Sequence, residues 1–212
     1  YPVTQTVRDS ATEIVIESAV LAENITRSLF ATAQDELRPV MNGIYFDLTP
    51  ECLSIVASDG HKLVRNKILN IHSDQPASFI LPKKPASLLK NLLGKDGGDV
   101  TIRFDERNAQ ISYGDGELIC RLIEGRYPNY NSVIPQNNPN QLTVDRLGLQ
   151  AALRRVQPFA NDSSSLIRFH VEGGTLQLDA EDYDFSKTAT ERMSCDYNGM
   201  PMSIGFKGSS FI

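Results

Sequence analysis

Apolar and polar residues alternate in short runs along most of the chain. Such runs stand at 13–17 (EIVIE), 43–49 (GIYFDLT), 52–58 (CLSIVAS), 62–69 (KLVRNKIL), 78–81 (SFIL), 99–104 (DVTIRF), 109–114 (AQISYG) and 117–123 (ELICRLI). A period of two, broken by turn residues, predicts antiparallel strands with one buried face. The texture resumes in QLTV, LIRFHVE, TLQLDA, TATERMSC and MSIGF. Three stretches instead carry a helical period. In 19–33, Leu21, Ile25 and Leu29 repeat at i, i+4, and Phe30 widens the stripe. In 145–160, Leu149, Leu153 and Val156 do the same, with Asp145 placed as an N-cap. The third is 85–93, opened by Pro85 and stopped by GKDGGD at 94–99.

The pattern repeats. SDGHKLVR (58–65) lies over GDGELICR (114–121), so that Asp59-Gly60 falls on Asp115-Gly116, an offset of 56 (115 − 59). At a longer spacing, EIVIESAVLAENITRSLF resembles QLTVDRLGLQAALRRVQPF, and Tyr1-Pro2 precedes the first as Tyr127-Pro128 precedes the second. Self-similarity of this kind sets the architecture: a strand, a helix, then three strands, used twice per domain. The expected organisation is a linker at 1–12, a complete domain at 13–139 and the first half of another at 140–212. With no initiator Met and an opening Tyr-Pro that belongs to a preceding repeat, the sequence is expected to be part of something longer.

The fold class that follows is α+β, with antiparallel sheets and few helices. A 41% hydrophobic content without low-complexity tracts marks a globular chain, and a formal charge of −5 argues against nonspecific adhesion to anionic surfaces. No apolar run approaches the ~20 residues that span a bilayer. Cys52, Cys120 and Cys195 are scattered, as are His61, His72 and His170. No metal site or cofactor is expected, and a reducing cytoplasm suits three unpaired thiols.

His61 follows Asp59-Gly60, and the recurrence of Asp-Gly without a histidine favours a hairpin turn in which glycine supplies a positive φ. What is particular to the first copy lies after the turn, at His61-Lys62-Leu63. A catalytic His61 would need a nucleophile or second acid set beside it. No nucleophile elbow, P-loop, zinc-protease helix or dinucleotide fingerprint is present.

Four strings then stand in order: MNGIYF (41–46), VASDGHKLVR (56–65), PKKPASLLKNLL (82–93) and LIEGRYPNYNSVIP (122–135). Together they resemble the bacterial sliding clamp family, the beta subunit of DNA polymerase III, over essentially the whole chain. The resemblance implies the DNA-clamp fold, with sheets outside and helices lining a ring of six domains from two subunits around duplex DNA. It implies a non-catalytic processivity factor acting in the cytoplasm and docking polymerase, clamp loader and repair proteins by short linear motifs. A chain of this extent is not expected to close the homodimeric ring.

Diffuse, positive contacts suit a protein that must hold DNA and still slide. The cations expected to supply them are Arg27, Lys83, Lys84, Lys90, Arg146, Arg154 and Arg155 on the helices, and Arg38 by family position. Pro39-Val40 replace aromatics found in many relatives. The walls implied for the docking pocket are Met41, Ser58, Gly60, His61, Lys62, Leu63, Pro128, Ser132 and Val133. Two readings from other classes stay beside this one: an interaction module that never meets DNA, and a hydrolase-like enzyme using His61.

Overall fold

The computed structural model describes residues 7–93 and 97–212. Tyr1-Pro2, the opening half of the 1–12 linker and the centre of GKDGGD lie outside the described residues. Two compact units are present, 1–130 and 131–212.

The first unit runs β1 (Thr12–Glu17), α1 (Ser18–Leu29), β2 (Gly43–Leu48), β3 (Leu53–Ser58), β4 (Leu63–Ile68), β5 (Ala77–Pro82), α2 (Lys83–Leu92), β6 (Asp99–Phe104), β7 (Asn108–Tyr113) and β8 (Gly116–Arg121). Its two antiparallel sheets are ordered β1-β6-β7-β8 and β4-β3-β2-β5. Each repeat therefore lends its first strand to the other: Ile14 of β1 faces Ile102 of β6, and Ile80 of β5 faces Tyr45 of β2. This exchange makes one core out of two repeats. Ile14, Ile16, Ile44, Phe46, Ile102 and Ile111 meet Leu21 and Ile25 of α1 and Ala86 and Leu89 of α2 there. The two helices also pack on each other. Phe79 binds the sheets together, stacked on Phe46 at 4.6 Å and tilted against Phe104 at 4.4 Å. Such ring pairs add roughly 0.5–1.5 kcal/mol each beyond their burial.

The structure revises three local expectations. Phe30 follows the end of α1 and is 58% exposed, so it leaves the apolar stripe instead of widening it. Helix α2 begins at Lys83, which places both Lys83 and Lys84 in its first turn. The Asp-Gly pairs are not equivalent turns. Between β7 and β8, Tyr113 faces Gly116 across a two-residue turn whose positive φ belongs to Gly114. Between β3 and β4, Ser58 faces Leu63 across the four residues 59–62, with the positive φ at Gly60. The first hairpin is two residues longer, and His61-Lys62 is part of that longer loop.

The second unit runs β9 (Leu142–Thr143), α3 (Arg146–Val156), β10 (Leu166–Glu172), β11 (Thr175–Asp182), β12 (Lys187–Ser194), β13 (Asp196–Tyr197) and β14 (Met202–Lys207). A sheet ordered β12-β11-β10-β14 carries α3, and β9 pairs with β13. Asp145 caps α3, its carboxylate accepting from Gly148 N at 2.5 Å. Ala152, Leu153 and Val156 then lie on Ile167, Phe169, Leu176 and Leu178.

Candidate functional site

The long hairpin of the first unit is shaped by its own residues. The Asp59 carboxylate accepts from His61 N at 2.9 Å and Lys62 N at 3.0 Å, and pairs with the Lys62 ammonium. Ser58 Oγ donates to Lys62 O at 2.8 Å and accepts from Gly60 N at 3.1 Å. Partial burial works against the charge on Asp59. The Lys62 ammonium and the two main-chain N–H groups outweigh it and hold the carboxyl at about 2. The loop is thus set before any ligand arrives, with His61 and Gly60 exposed and Lys62 and Leu63 half-buried. Because Asp59 is engaged this way, it does not serve as the acid partner that a catalytic His61 requires.

Two further segments converge on this hairpin. A short 3-10 turn, Pro39–Asn42, buries Met41, whose carbonyl accepts from Ala33 N at 2.8 Å. Arg38 precedes it, pairs with Asp35 at 2.8 Å, and leans on the loop: a Cβ on Gly60 would stand 3.1 Å from its Nη1. The other segment is the strap 122–130, which crosses the outer face of the β4-β3-β2-β5 sheet. Ile123 N donates to Ile80 O at 3.1 Å, the Tyr127 ring stacks on Tyr45 at 4.5 Å, and the Tyr130 hydroxyl donates to Asp47 at 2.7 Å. Strap and turn touch at Gly125, where φ is +126° and a Cβ would come within 2.7 Å of Val40 Cγ1.

The hairpin supplies five of the expected pocket residues, Ser58, Gly60, His61, Lys62 and Leu63, on one element. Met41 is held by the turn and exposed Pro128 by the strap, beside Tyr127. Ser132 and Val133 belong to the second unit, where both are exposed. The strap residues Tyr127 and Gly125 were not singled out from sequence. Their signal was the Gly-Arg-Tyr-Pro succession, a glycine at a crossing followed by an aromatic anchor. Arg38, expected among the DNA contacts, belongs structurally with this hairpin. A buried Met41 and half-buried Leu63 beside exposed polar groups suit an apolar anchor residue with a polar rim.

The helix cations divide into two groups. Arg27 is bound to Glu23 one turn earlier at 2.5 Å, and Arg155 reaches Glu191 of β12 through two hydrogen bonds, at 2.5 and 3.2 Å. The Glu191 carboxylate holds the Arg155 guanidinium above its ordinary value, and Arg155 holds Glu191 below its own. Among the described residues no carboxylate pairs with Lys83, Lys84, Lys90, Arg146 or Arg154. Helices α2 and α3 each carry three cations and no acid. Lys83 and Lys84 even sit where the helix dipole opposes them, with no acidic side chain or cap in that turn. That placement costs roughly 0.3–1 kcal/mol per charge and is favourable only when an anion is near.

Among the described residues no cluster of metal-ligating side chains occurs, and no helix is long and apolar enough to cross a membrane.

Residues 15–129 match the central domain of the DNA polymerase III beta subunit, and residues 131–212 match that subunit's C-terminal domain. The chain is similar to the beta sliding clamp of Escherichia coli, 29% identical over 202 residues, covering 94% of the chain and 54% of the relative. The Pseudomonas aeruginosa clamp is 29% identical over 195 residues, covering 92% and 53%. The chain therefore spans about half the length of the curated relatives it matches. A crystal structure of the P. aeruginosa sliding clamp bound to griselimycin superposes with a TM-score of 0.91 at 28% identity, covering 99% of this chain and 56% of that one. The Bartonella birtlesii clamp bound to the same compound gives 0.90 at 28%, covering 100% and 57%.

Proposed function

Since the chain belongs to the DNA polymerase III beta subunit family, we propose that it forms the central and following part of a sliding clamp that confers processivity on a replicative polymerase. On this reading it is a non-catalytic cytoplasmic protein. Its domains are a linker at 1–12, a complete clamp domain at 13–139 and the first half of another at 140–212. The full-length protein forms a homodimeric ring on duplex DNA and docks polymerase, clamp loader and repair proteins.

One observation carries the docking part. The Asp59–Lys62 loop, longer than its sister hairpin, is locked by its own acid and buttressed by the Arg38 turn, so it presents His61 and Leu63 ready-made. Preorganisation lowers the ordering cost that a short peptide would otherwise meet on binding. The unpaired cations of α2 and α3 support the DNA part, since phosphate attraction without base readout permits sliding. Ser132 and Val133 complete the docking pocket in this proposal, and Arg27 and Arg155 act mainly through their structural pairs.

Griselimycin, bound by the P. aeruginosa and B. birtlesii clamps, is the available probe, and we place it against the hairpin. Calorimetric titration is expected to show binding by the chain and roughly fivefold weaker binding by His61→Ala, as for a group at the rim of a docking site. Absence of binding by the unmodified chain, or indifference to His61→Ala, contradicts the placement.

A further inference from the structure

We propose that the Tyr127 hydroxyl is a hydrogen-bond donor reserved for a carbonyl oxygen of the ligand that docks at the Ser58–Leu63 hairpin, an inference that rests on the docking reading above. Tyr127 is 7% exposed, and its hydroxyl has no hydrogen-bond partner among the described residues. The ring cannot swing outward in search of water, because it is stacked on Tyr45 with only 2° between the planes. Burial pushes the hydroxyl up to about 12. The Ser58 main-chain N–H pulls the other way, which places that donor toward the phenol oxygen although the two do not reach hydrogen-bond geometry. With a donor facing the oxygen, what the group lacks is an acceptor for its own proton.

The neighbouring tyrosines on the same sheet face do not share this lack. Tyr130 donates to Asp47 at 2.7 Å, and the Tyr45 hydroxyl is bonded to the Ser78 side chain. Phenylalanine at 127 would keep the stacking and leave no polar atom stranded, so the fold alone does not account for the hydroxyl. Its position does. It lies against Ser58, at the base of the docking hairpin, one residue from exposed Pro128. A ligand seated between these residues brings main-chain oxygens to the place where a donor stands idle. Its hydrogen bond there would form in a site closed to water, where an unmatched polar ligand is penalised.

Tyr127→Phe separates this role from a structural one, read by thermal melting and by griselimycin affinity in the same preparations. The expected result is a melting temperature equal to or above that of the unmodified chain, with griselimycin bound about fivefold more weakly, the worth of one hydrogen bond. Unchanged affinity overturns the inference, whether the melting temperature rises or falls. Should the unmodified chain fail to bind griselimycin, the docking reading fails and this inference with it. Binding that responds to His61→Ala but not to Tyr127→Phe removes this inference alone.

Discussion

Asp59→Asn isolates the charge that sets the docking hairpin. Asparagine keeps an oxygen for the His61 and Lys62 N–H groups but abolishes the Lys62 ion pair. The folded carboxyl titrates at about 2 against an ordinary 3.8, a difference of about 1.8 units. At ~1.36 kcal/mol per unit this amounts to roughly 2.4 kcal/mol if fully expressed. The side chains are 30% and 20% exposed for Lys62 and Asp59, so solvent screening reduces the expected loss to about 1 kcal/mol. For a chain of this size that corresponds to ~2–4 °C in melting temperature. The sign of the pH dependence follows from the depressed folded value. The carboxylate's contribution is fully present above about pH 4 and fades as pH falls toward 2. Urea unfolding of both proteins at about pH 7, 5, 3.5 and 2.5 is expected to show a gap that is constant at the two upper values and closes across the lower two. A gap that persists unchanged to the lowest pH, or none at neutrality, refutes this account of the loop.

Two other substitutions probe the supports of the site. Gly125→Ala combines a left-handed φ with a clash on Val40, and is expected to destabilise the first unit by roughly 1–3 kcal/mol. Adding Val40→Ala recovers the clash but not the backbone strain, so thermal melts are expected to show partial rescue. Arg155→Gln is expected to lower the melting temperature while leaving DNA affinity nearly unchanged, because Glu191 already neutralises that charge. Arg154→Gln is expected to do the reverse, which a paired melting and DNA-binding measurement distinguishes.

The strand and helix order was legible because burial alternates with the sequence pattern. In β1, Ile14 and Ile16 go to the core while Val15 stays 48% exposed. The duplication was legible too, but not the exchange of β1 and β5 between repeats, which depends on pairings far apart in sequence. The hairpin equivalence misled at Asp115-Gly116, since identical dipeptides occupy different turn positions when loop lengths differ by two residues. Candidate cations could be counted from sequence. Which of them are free could not, because Glu191 reaches Arg155 from 36 residues away. Tyr127 stayed hidden for a related reason: a tyrosine's burial and missing acceptor appear only once the strap is laid on its sheet.

The account's central claim is that unpaired helix cations attract DNA phosphates without reading bases. Its most direct test is the salt dependence of binding to random-sequence duplex DNA at low ionic strength. The unmodified chain is compared with a variant carrying Gln at Lys84, Lys90, Arg146 and Arg154. Each phosphate contact contributes about −0.9 to the slope of log K against log salt. Sequence-independent binding with a slope of roughly −3 to −4, largely flattened in the variant, is the predicted result. A variant that binds as tightly and as steeply as the unmodified chain contradicts the claim.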